Sequence, residues 1–394
     1  MTTATQSRKV YPARRAVEDA AAIPDVRPLR LFPVLWPLWR VETAASVYDE
    51  QDYDVIDRFL VRAIAEAGLA DVASLSSFFG IPADLIRRCL AFLSAIGHVR
   101  EREDGALRLT DLGLRSAQAG IRYEPKESHQ DIYIDQFTAR PLPRRYYEGS
   151  VPIFATHKVP ADALYDRSRF APLLAWTAFR EQIVLDLAAR SDRAEFNLPG
   201  QLQDVRVIQH GEAFLPAYLI ETADGGLFVY TARAAERDTF FEDACRQVPG
   251  MHHMIEAEEK TDPRDIWTAW LADSDVGRGT LRRLPNGVWR ATLRSDAFGP
   301  SGNLGLSQLG SYLLRKRYFL QLWSDDARQR RDAVMNRALA MTQSRDVATR
   351  VDLRERVAAL SRQLEVPEPN LADNRSYGEQ HDKHVLAACL DGLE

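Results

Sequence analysis

Apolar side chains between residues 55 and 96 recur three and four positions apart, and this spacing constrains the fold more than any other feature of the chain. In an α-helix such spacing places the apolar groups on one face. The run from Val55 stops at Gly68, and a second, shorter run ends at Gly80. Pro82 then occupies a position that suits the first turn of a helix. The segment therefore predicts three consecutive short helices.

Residues 99–110 have a different pattern, in which polar and apolar side chains alternate around Asp104 and Gly105. Both residues tolerate positive φ, so this dipeptide is typical of a two-residue β-hairpin turn. Thr110 follows and can accept a hydrogen bond from the first turn of a further helix. The predicted order over residues 55–119 is helix, helix, helix, hairpin, helix.

Three pieces of this segment resemble the winged helix-turn-helix superfamily, as in MarR-like and ArsR-like regulators. They are SLSSFFGIPADLIRRCLAFLSAIGHV, the EDG turn, and LTDLG at 109–113. The resemblance covers about a sixth of the chain. It implies that the third helix enters the major groove of DNA and that the hairpin lies along the backbone or the minor groove.

Arginines stand where this resemblance implies contact with DNA. The outer side of the third helix offers Arg87 and Arg88, and the hairpin offers Arg100, Arg102 and Arg108. Arginine suits both phosphate and guanine. However, residues 55–119 contain eight arginines and eight acidic residues, three of them on the hairpin. Acidic groups near phosphates weaken binding, so a structural or protein-binding role for this segment remains an alternative.

A second basic stretch at residues 278–331 has eleven Lys and Arg against three acidic residues. It contains LRRLPNGVWRATLRS, which predicts a hairpin, and SYLLRKRYFLQLW, which predicts a helix. Arg315, Lys316 and Arg317 lie beside Tyr318, Phe319 and Trp323. Basic groups interleaved with aromatic rings suit a nucleic-acid strand or an acidic partner. The favoured interpretation nevertheless places these three rings in the hydrophobic core.

The whole chain is interpreted as a multidomain α+β protein of four consecutive parts. We expect an N-terminal arm or strap (1–54), the winged helix (55–119), a linker hairpin with an α+β domain (120–275), and a basic, mostly helical C-terminal region (276–394). Within the arm, residues 1–28 are expected to be loose and the apolar residues 29–39 to be extended. The α+β domain is expected to contain one helix over 168–190 and a three-stranded antiparallel meander.

The C-terminal region contains a further pattern that indicates a packing seam. Leu353, Val357, Leu360 and Leu364 are spaced four, three and four apart, which is the rhythm of a helix that packs against another helix. This helix, at 350–364, is expected to bind a protein partner or a second copy of the chain.

The composition excludes several classes of protein. A net charge of −5 argues against a polybasic nucleic-acid binder. Cys89, Cys245 and Cys389 are too few and too far apart for a disulfide framework or a structural zinc site. No signal-peptide core or membrane span is apparent. We therefore expect a cytoplasmic protein without a membrane segment, metal or cofactor.

The leading hypothesis is a non-enzymatic, bacterial-type DNA-binding protein, either a transcription regulator or a subunit of a DNA-handling or antiviral defence complex. One alternative is a protein–protein adaptor that uses the winged helix and the C-terminal seam. Another is a metal-dependent nuclease, because Glu242 and Asp243 precede Glu258 and Lys260. Such an E-x-K, placed on a strand after an upstream acid, is typical of nucleases that bind Mg²⁺.

Overall fold

The computed structural model describes residues 13–103, 105–147, 153–154, 170–175, 177–200, 202–231, 236–257, 260–343, 347 and 349–390. The fold is mixed α/β. It divides into two compact units, each assembled from segments distant in sequence. The first comprises Met1–Pro37, Gly149–Ala175 and Ala213–Glu394, and the second comprises Leu38–Glu148 and Trp176–Glu212. Two long strands, β1 (Pro28–Asp52) and β6 (Gln203–Thr222), each continue from one unit into the other.

The second unit contains residues 55–119, and the helices and hairpin occur in the predicted order. They are α2 (Val55–Glu66), α3 (Val72–Phe79), α4 (Ala83–Ala95), β2 (Val99–Glu101), β3 (Leu107–Leu109) and α5 (Asp111–Ala119). All six contribute apolar side chains to one cluster, with Leu60, Leu75 and Leu93 fully buried. Burial of this shared cluster stabilises helices that are too short to be stable in isolation.

The same unit contains a long antiparallel strand pair. Strand β4 (Ile121–Asp135) pairs with β1 from Leu38, opposite Asp135, to Asp52, opposite Ile121. Helix α6 (Gln182–Ala189) covers this pair with Val184 and Leu187. The sequence predicted a linker with a short hairpin after residue 119. That prediction is wrong, because the partner of β4 lies about 80 residues earlier in the chain, in β1.

The first unit contains a hairpin of β6 with β7 (Leu227–Thr231), with Ala217 opposite Thr231 and Glu221 opposite Leu227. The prediction of a three-stranded meander is wrong, because the residues of its first two predicted strands form the single strand β6. The one helix predicted over 168–190 is also wrong. Ala171–Pro172 form a short strand, β5, parallel to Val34–Leu35. Proline removes a helical hydrogen bond and clashes with the preceding turn. Among the described residues of this stretch, the α-helix is confined to α6.

A four-stranded sheet follows in the first unit, with the order β10-β11-β9-β8. Its strands are β8 (Gly279–Arg283), β9 (Trp289–Leu293), β10 (Tyr312–Arg315) and β11 (Tyr318–Ser324). The predicted hairpin around Pro285-Asn286-Gly287 is confirmed, with Arg283 opposite Trp289 and Gly287 at φ +83°. The predicted helix at SYLLRKRYFLQLW is wrong, because these residues form the β10–β11 hairpin. The region after residue 276 is therefore not mostly helical.

The first unit also contains helices, some of which pack against this sheet. They are α1 (Ala13–Ala22), α7 (Thr239–Gln247), α8 (Pro249–Ala257), α9 (Pro263–Asp273), α10 (Ala327–Met341), α11 (Arg350–Gln363), α12 (Leu371–Gln380) and α13 (His384–Cys389). Helix α1 corrects the expectation of a loose arm. Its buried residues Ala13, Ala16, Val17 and Ala20 share one helical face and pack on Leu31 and neighbouring core residues.

The predicted seam of α11 lies inside the chain's own core. Leu353, Val357, Leu360 and Leu364 are all buried and belong to the hydrophobic cluster that also contains Trp267. The periodicity correctly indicated a packing face, but the surface that the face contacts belongs to the same chain. These four side chains are consequently not available to a partner or to a second copy.

No helix in the part of the chain that the structure describes combines the length and the apolar composition that a bilayer crossing requires.

Candidate nucleic-acid interface

Helices α3 and α4 are held at a fixed angle by local hydrogen bonds and a tight turn. The carboxylate of Asp71 accepts from the Ser74 backbone N–H at 2.8 Å and so caps α3. Helix α3 ends at Gly80, whose φ of +65° is the left-handed conformation that glycine adopts without strain. Ile86, Leu90 and Leu93 of α4 turn into the core. The opposite side of α4 is consequently presented to solvent.

The outer face of α4 combines two arginines with small side chains. Arg87 and Arg88 are both exposed, as predicted, but their environments differ. Arg87 is bound by the carboxylate of Asp84, one helical turn earlier. Arg88 has no acidic partner among the described residues. Farther along this face, exposed Ala91, Ser94 and Ala95 leave the helix surface open to a close approach.

The hairpin presents a pair of like charges. Arg100 on β2 lies directly opposite Arg108 on β3, and both are exposed. Side chains in such cross-strand pairs are within about 5 Å of each other at Cβ, where like charges repel. Within the described part of the chain, neither they nor Arg102 form an ion pair. A polyanion that lies across the hairpin would relieve this repulsion.

The turn of the hairpin is longer than predicted. The Arg102 N–H donates to the Ala106 carbonyl, and the Gly105 N–H donates to the Arg102 carbonyl, both at 2.9 Å. Gly105 is at φ +80°, as the choice of glycine indicated. A loop that ends in a left-handed glycine is the usual solution when a hairpin loop has three residues instead of two.

Backbone hydrogen bonds fix the hairpin to the helices around it. The Leu107 N–H of β3 donates to the Ala70 carbonyl, in the connection between α2 and α3, at 2.7 Å. The predicted cap of α5 is confirmed, since Thr110 Oγ1 accepts from the Gly113 N–H at 3.0 Å. The Thr110 N–H donates to the His98 carbonyl at 2.9 Å. The arginines of the hairpin are therefore carried on a rigid support.

His98 is fully buried where the hairpin meets α5 and β4. Its Nε2 lies 2.7 Å from the Tyr123 carbonyl, which can only accept, so Nε2 carries the proton. Its Nδ1 then accepts from the Tyr53 hydroxyl at 2.8 Å. Burial lowers the pKa of His98 below its usual value. The folded chain thus holds this imidazole in its neutral form.

This neutral histidine predicts a loss of stability in mild acid. Below the unfolded-state pKa of about 6.5, the unfolded chain binds a proton that folded His98 rejects, so the free energy of unfolding falls. We expect His98 to contribute a decrease of up to about 1.4 kcal/mol per pH unit between about pH 6.5 and 5.5. Urea unfolding at both pH values measures it. We expect His98→Gln to remove this part of the pH dependence. An identical pH dependence in the native chain and in this variant would contradict a neutral, buried His98.

The second predicted group of basic residues belongs to the first unit, at the turn between β10 and β11. Arg315 and Lys316 are exposed, and Lys316 and Arg317 adopt φ values of +45° and +75°. Arg317 is half-buried, with its guanidinium 5.2 Å from the ring centroid of Phe32. Its carbonyl accepts from the Leu31 N–H at 2.7 Å. The structure therefore brings these three cations together on a tight turn instead of along a helix.

The aromatic residues beside this turn are core residues, as the favoured interpretation predicted. Tyr318, Phe319 and Trp323 are all buried. Arg290 and Arg330 lie over the ring of Trp323, with guanidinium carbons 3.7 and 4.7 Å from its centroid. These rings are not available for stacking on nucleic-acid bases.

The acidic residues of the predicted nuclease site have structural partners. Glu242 on α7 is buried, and its carboxylate accepts from the Arg237 side chain and from the Val229 N–H. Asp243 binds Arg246. Glu258 lies outside the described residues, and the chain leading to it is helix α8 instead of the strand that the motif requires. Among the residues that the structure describes, no group of three or more His, Cys, Asp or Glu could hold a metal ion.

Sequence reasoning named Lys260 only in the E-x-K pattern and Arg283 only in the second basic stretch, and it missed that both line one cavity in the first unit. The available signal was the Arg282-Arg283 pair directly before a turn, which identifies cations at the end of a strand. The position of Lys260 beside it follows from tertiary contacts and has no local signal.

No protein-family model, curated protein or solved structure matches this chain.

Proposed function

We propose that this chain binds double-stranded DNA through residues 55–119, and that this segment is a winged helix-turn-helix. Helix α4 then enters the major groove and the β2–β3 hairpin lies along the backbone. The observation that carries the proposal is the set of exposed arginines that have no acidic partner among the described residues, Arg88 on α4 and Arg100 and Arg108 on the hairpin. We propose that the protein acts as a regulator or as a subunit of a DNA-handling complex.

The shape of the segment supports this proposal. Exposed Ala91, Ser94 and Ala95 allow the backbone of α4 to approach a groove, while Arg87 and Arg88 stand in the N-terminal half of the helix. The Leu107–Ala70 hydrogen bond fixes the hairpin relative to the helices. Little conformational entropy is then lost when the arginines meet phosphates.

The acidic residues of the segment predict how the affinity for DNA depends on salt. The eight arginines are balanced by eight acids, so no long-range field attracts DNA to this segment. Asp84 already neutralises Arg87. Affinity would then come from a few local phosphate contacts, and it would fall steeply as salt is raised.

The test is binding of a fluorescent duplex, followed by anisotropy at low salt. We expect the triple variant Arg88→Ala, Arg100→Ala, Arg108→Ala to bind at least about tenfold more weakly, because three phosphate contacts are lost. The matched control is Arg62→Ala, since Arg62 is an exposed arginine of α2 that is already paired with Glu66. No binding by the native chain, or equal binding by the native and triple-variant proteins, would contradict the proposal.

A second candidate function, protein binding, is favoured by exposed apolar side chains on the same segment. Val55 and Phe59 on α2 and Phe78 on α3 are at least half exposed. If this surface contacts a second copy of the chain, Phe59→Ser and Phe78→Ser will reduce self-association, which sedimentation velocity measures. Both substitutions will leave DNA binding unchanged. Unchanged sedimentation in these variants would count against this candidate.

A further inference from the structure

The first unit contains a cavity of about 270 Å³ at one end of the sheet β10-β11-β9-β8. Strands β9 and β11 are parallel and each follows the turn of its own hairpin, so both turns lie at that end. Arg283 and Trp289 face each other across β8 and β9, and both line the cavity. The strand register places Tyr318 and Arg315 on the same face of the sheet. The cavity therefore has the half-buried ring of Trp289 in its wall and Arg283 at its edge.

The charges around the cavity are only partly compensated. Arg30 and Glu221 also line it, but they form a two-bonded ion pair with each other at 2.6 and 3.2 Å. The carboxylate of Asp262 accepts from the Arg264 N–H at 2.9 Å. Lys260 and Arg283 are exposed and have no acidic partner among the described residues. Arg283 Nε donates to the Gly287 carbonyl at 3.2 Å, which holds its guanidinium at the cavity without neutralising its charge. The charges of Lys260 and Arg283 thus remain for an anionic ligand, and Asp262 is the carboxylate that opposes them.

We propose that this cavity binds one phosphate-bearing nucleotide, with the phosphate between Lys260 and Arg283 and the base against Trp289. Cations beside an aromatic face are the combination that holds the backbone and the base of an unpaired nucleotide. The volume lies just below that of pockets for drug-sized ligands, so it suits a single nucleotide and excludes a duplex. Arg315 and Lys316 on the neighbouring turn extend the positive edge along which a strand could continue. This site goes beyond the proposed duplex binding, which uses the other unit.

The test uses the full chain and two probes, thymidine 5′-monophosphate and a short 5′-phosphorylated oligothymidylate labelled with fluorescein at its 3′ end. We expect the labelled strand to bind at low salt. The double variant Lys260→Ala, Arg283→Ala should weaken binding at least about tenfold, because two phosphate contacts are lost. Its matched control is Arg278→Ala, an exposed arginine at the opposite end of β8, which should change the Kd less than about twofold.

Variants of the aromatic wall test the position of the base. Trp289→Leu keeps an apolar side chain in the core and should weaken binding at least about fivefold, whereas Trp289→Phe should retain most of it, because stacking needs an aromatic face. Unfolding curves establish that each variant is folded. If the mononucleotide displaces the labelled strand, the occupant is a free nucleotide. If the unlabelled strand displaces it and the mononucleotide does not, the occupant is a nucleotide within a strand.

Two outcomes would overturn the inference. One is the absence of binding of either probe at low salt. The other is equal weakening by Arg278→Ala and by the double variant, which would indicate nonspecific attraction to the sheet surface. The triple arginine variant of residues 55–119 should leave binding of the short strand unchanged, so failure of this site and failure of the duplex interface are distinguishable.

Discussion

Replacing Gly113 by alanine is expected to lower the free energy of unfolding by at least about 3 kcal/mol. A Cβ at this position would lie 2.1 Å from the His98 carbonyl oxygen and 2.8 Å from its carbon. Both are backbone atoms, so no side chain can rotate away. Helix α5 would have to move from β2, which would break the bond between the Thr110 N–H and the His98 carbonyl. Urea unfolding followed by circular dichroism measures the loss.

The matched control is Gly211→Ala, in the same unit. An alanine Cβ at Gly211 would meet no atom within 4 Å, and this glycine has no positive φ. We therefore expect the control to change the free energy of unfolding by less than about 1 kcal/mol. Equal stabilities of the two variants would contradict the close approach of α5 to the end of β2.

The second large effect concerns the ion pair between Arg30 and Glu221. Arg30 is buried and Glu221 is mostly buried, with exposed fractions of 4% and 17%, and Arg30 Nε lies 2.6 Å from a carboxylate oxygen of Glu221. Glu221→Gln keeps the shape of the side chain and removes its charge. Arg30 would then keep its hydrogen bond to the Ile255 carbonyl but lose the countercharge of Glu221. We expect a decrease of about 3 kcal/mol in the free energy of unfolding, because removing the charge of one partner from a mostly buried ion pair is costly.

The same substitution on an exposed pair provides the control. Arg62 and Glu66 form an ion pair on α2 with exposed fractions of 46% and 63%. Solvent screens such pairs, so Glu66→Gln should cost less than about 1 kcal/mol. If Glu221→Gln costs no more than Glu66→Gln, Arg30 does not depend on Glu221 for its charge compensation.

The sequence was most informative where a single local rule determines the structure. Helices α2 to α5 follow from apolar spacing, and their ends follow from Gly68, Gly80 and the cap at Thr110. The hairpin at Pro285-Asn286-Gly287 follows from turn residues whose side chains favour that backbone. Exposure of Arg87, Arg88, Arg100, Arg102 and Arg108 follows from the same periodicity, since each stands on the side opposite to the core.

The β10–β11 hairpin could not be predicted, because its turn uses residues that give no turn signal. Lys316 and Arg317 occupy positive φ, where glycine or asparagine is usual. The apolar residues of β11 are buried on both faces and so lack the alternation of a half-buried strand. The tertiary contact of Arg317 with Leu31 and Phe32 stabilises the turn. That contact joins residues almost 290 positions apart and has no local trace in the sequence.

Strands β1 and β6 were missed for a related reason. Each is at least 20 residues long, and each passes from one compact unit into the other. The sequence was divided into consecutive domains, and such a division assigns each strand to one domain, so it cannot predict a strand that belongs to two units. Gly211 lies within β6, and because its φ lies outside the left-handed region the strand continues through it. Gly113, in contrast, lies inside helix α5 at a position where an added Cβ would meet backbone atoms of His98.

The most direct test of the central claim is the salt dependence of duplex binding by the native chain and the triple variant of Arg88, Arg100 and Arg108. The slope of log K against log salt concentration reports the number of phosphates neutralised, at about 0.9 per contact. We predict that the triple variant has a slope smaller in magnitude by about 2.7, while Arg62→Ala keeps the native slope. Equal slopes for the native chain and the triple variant would show that these three arginines do not contact phosphate, and would contradict DNA binding through α4 and the hairpin.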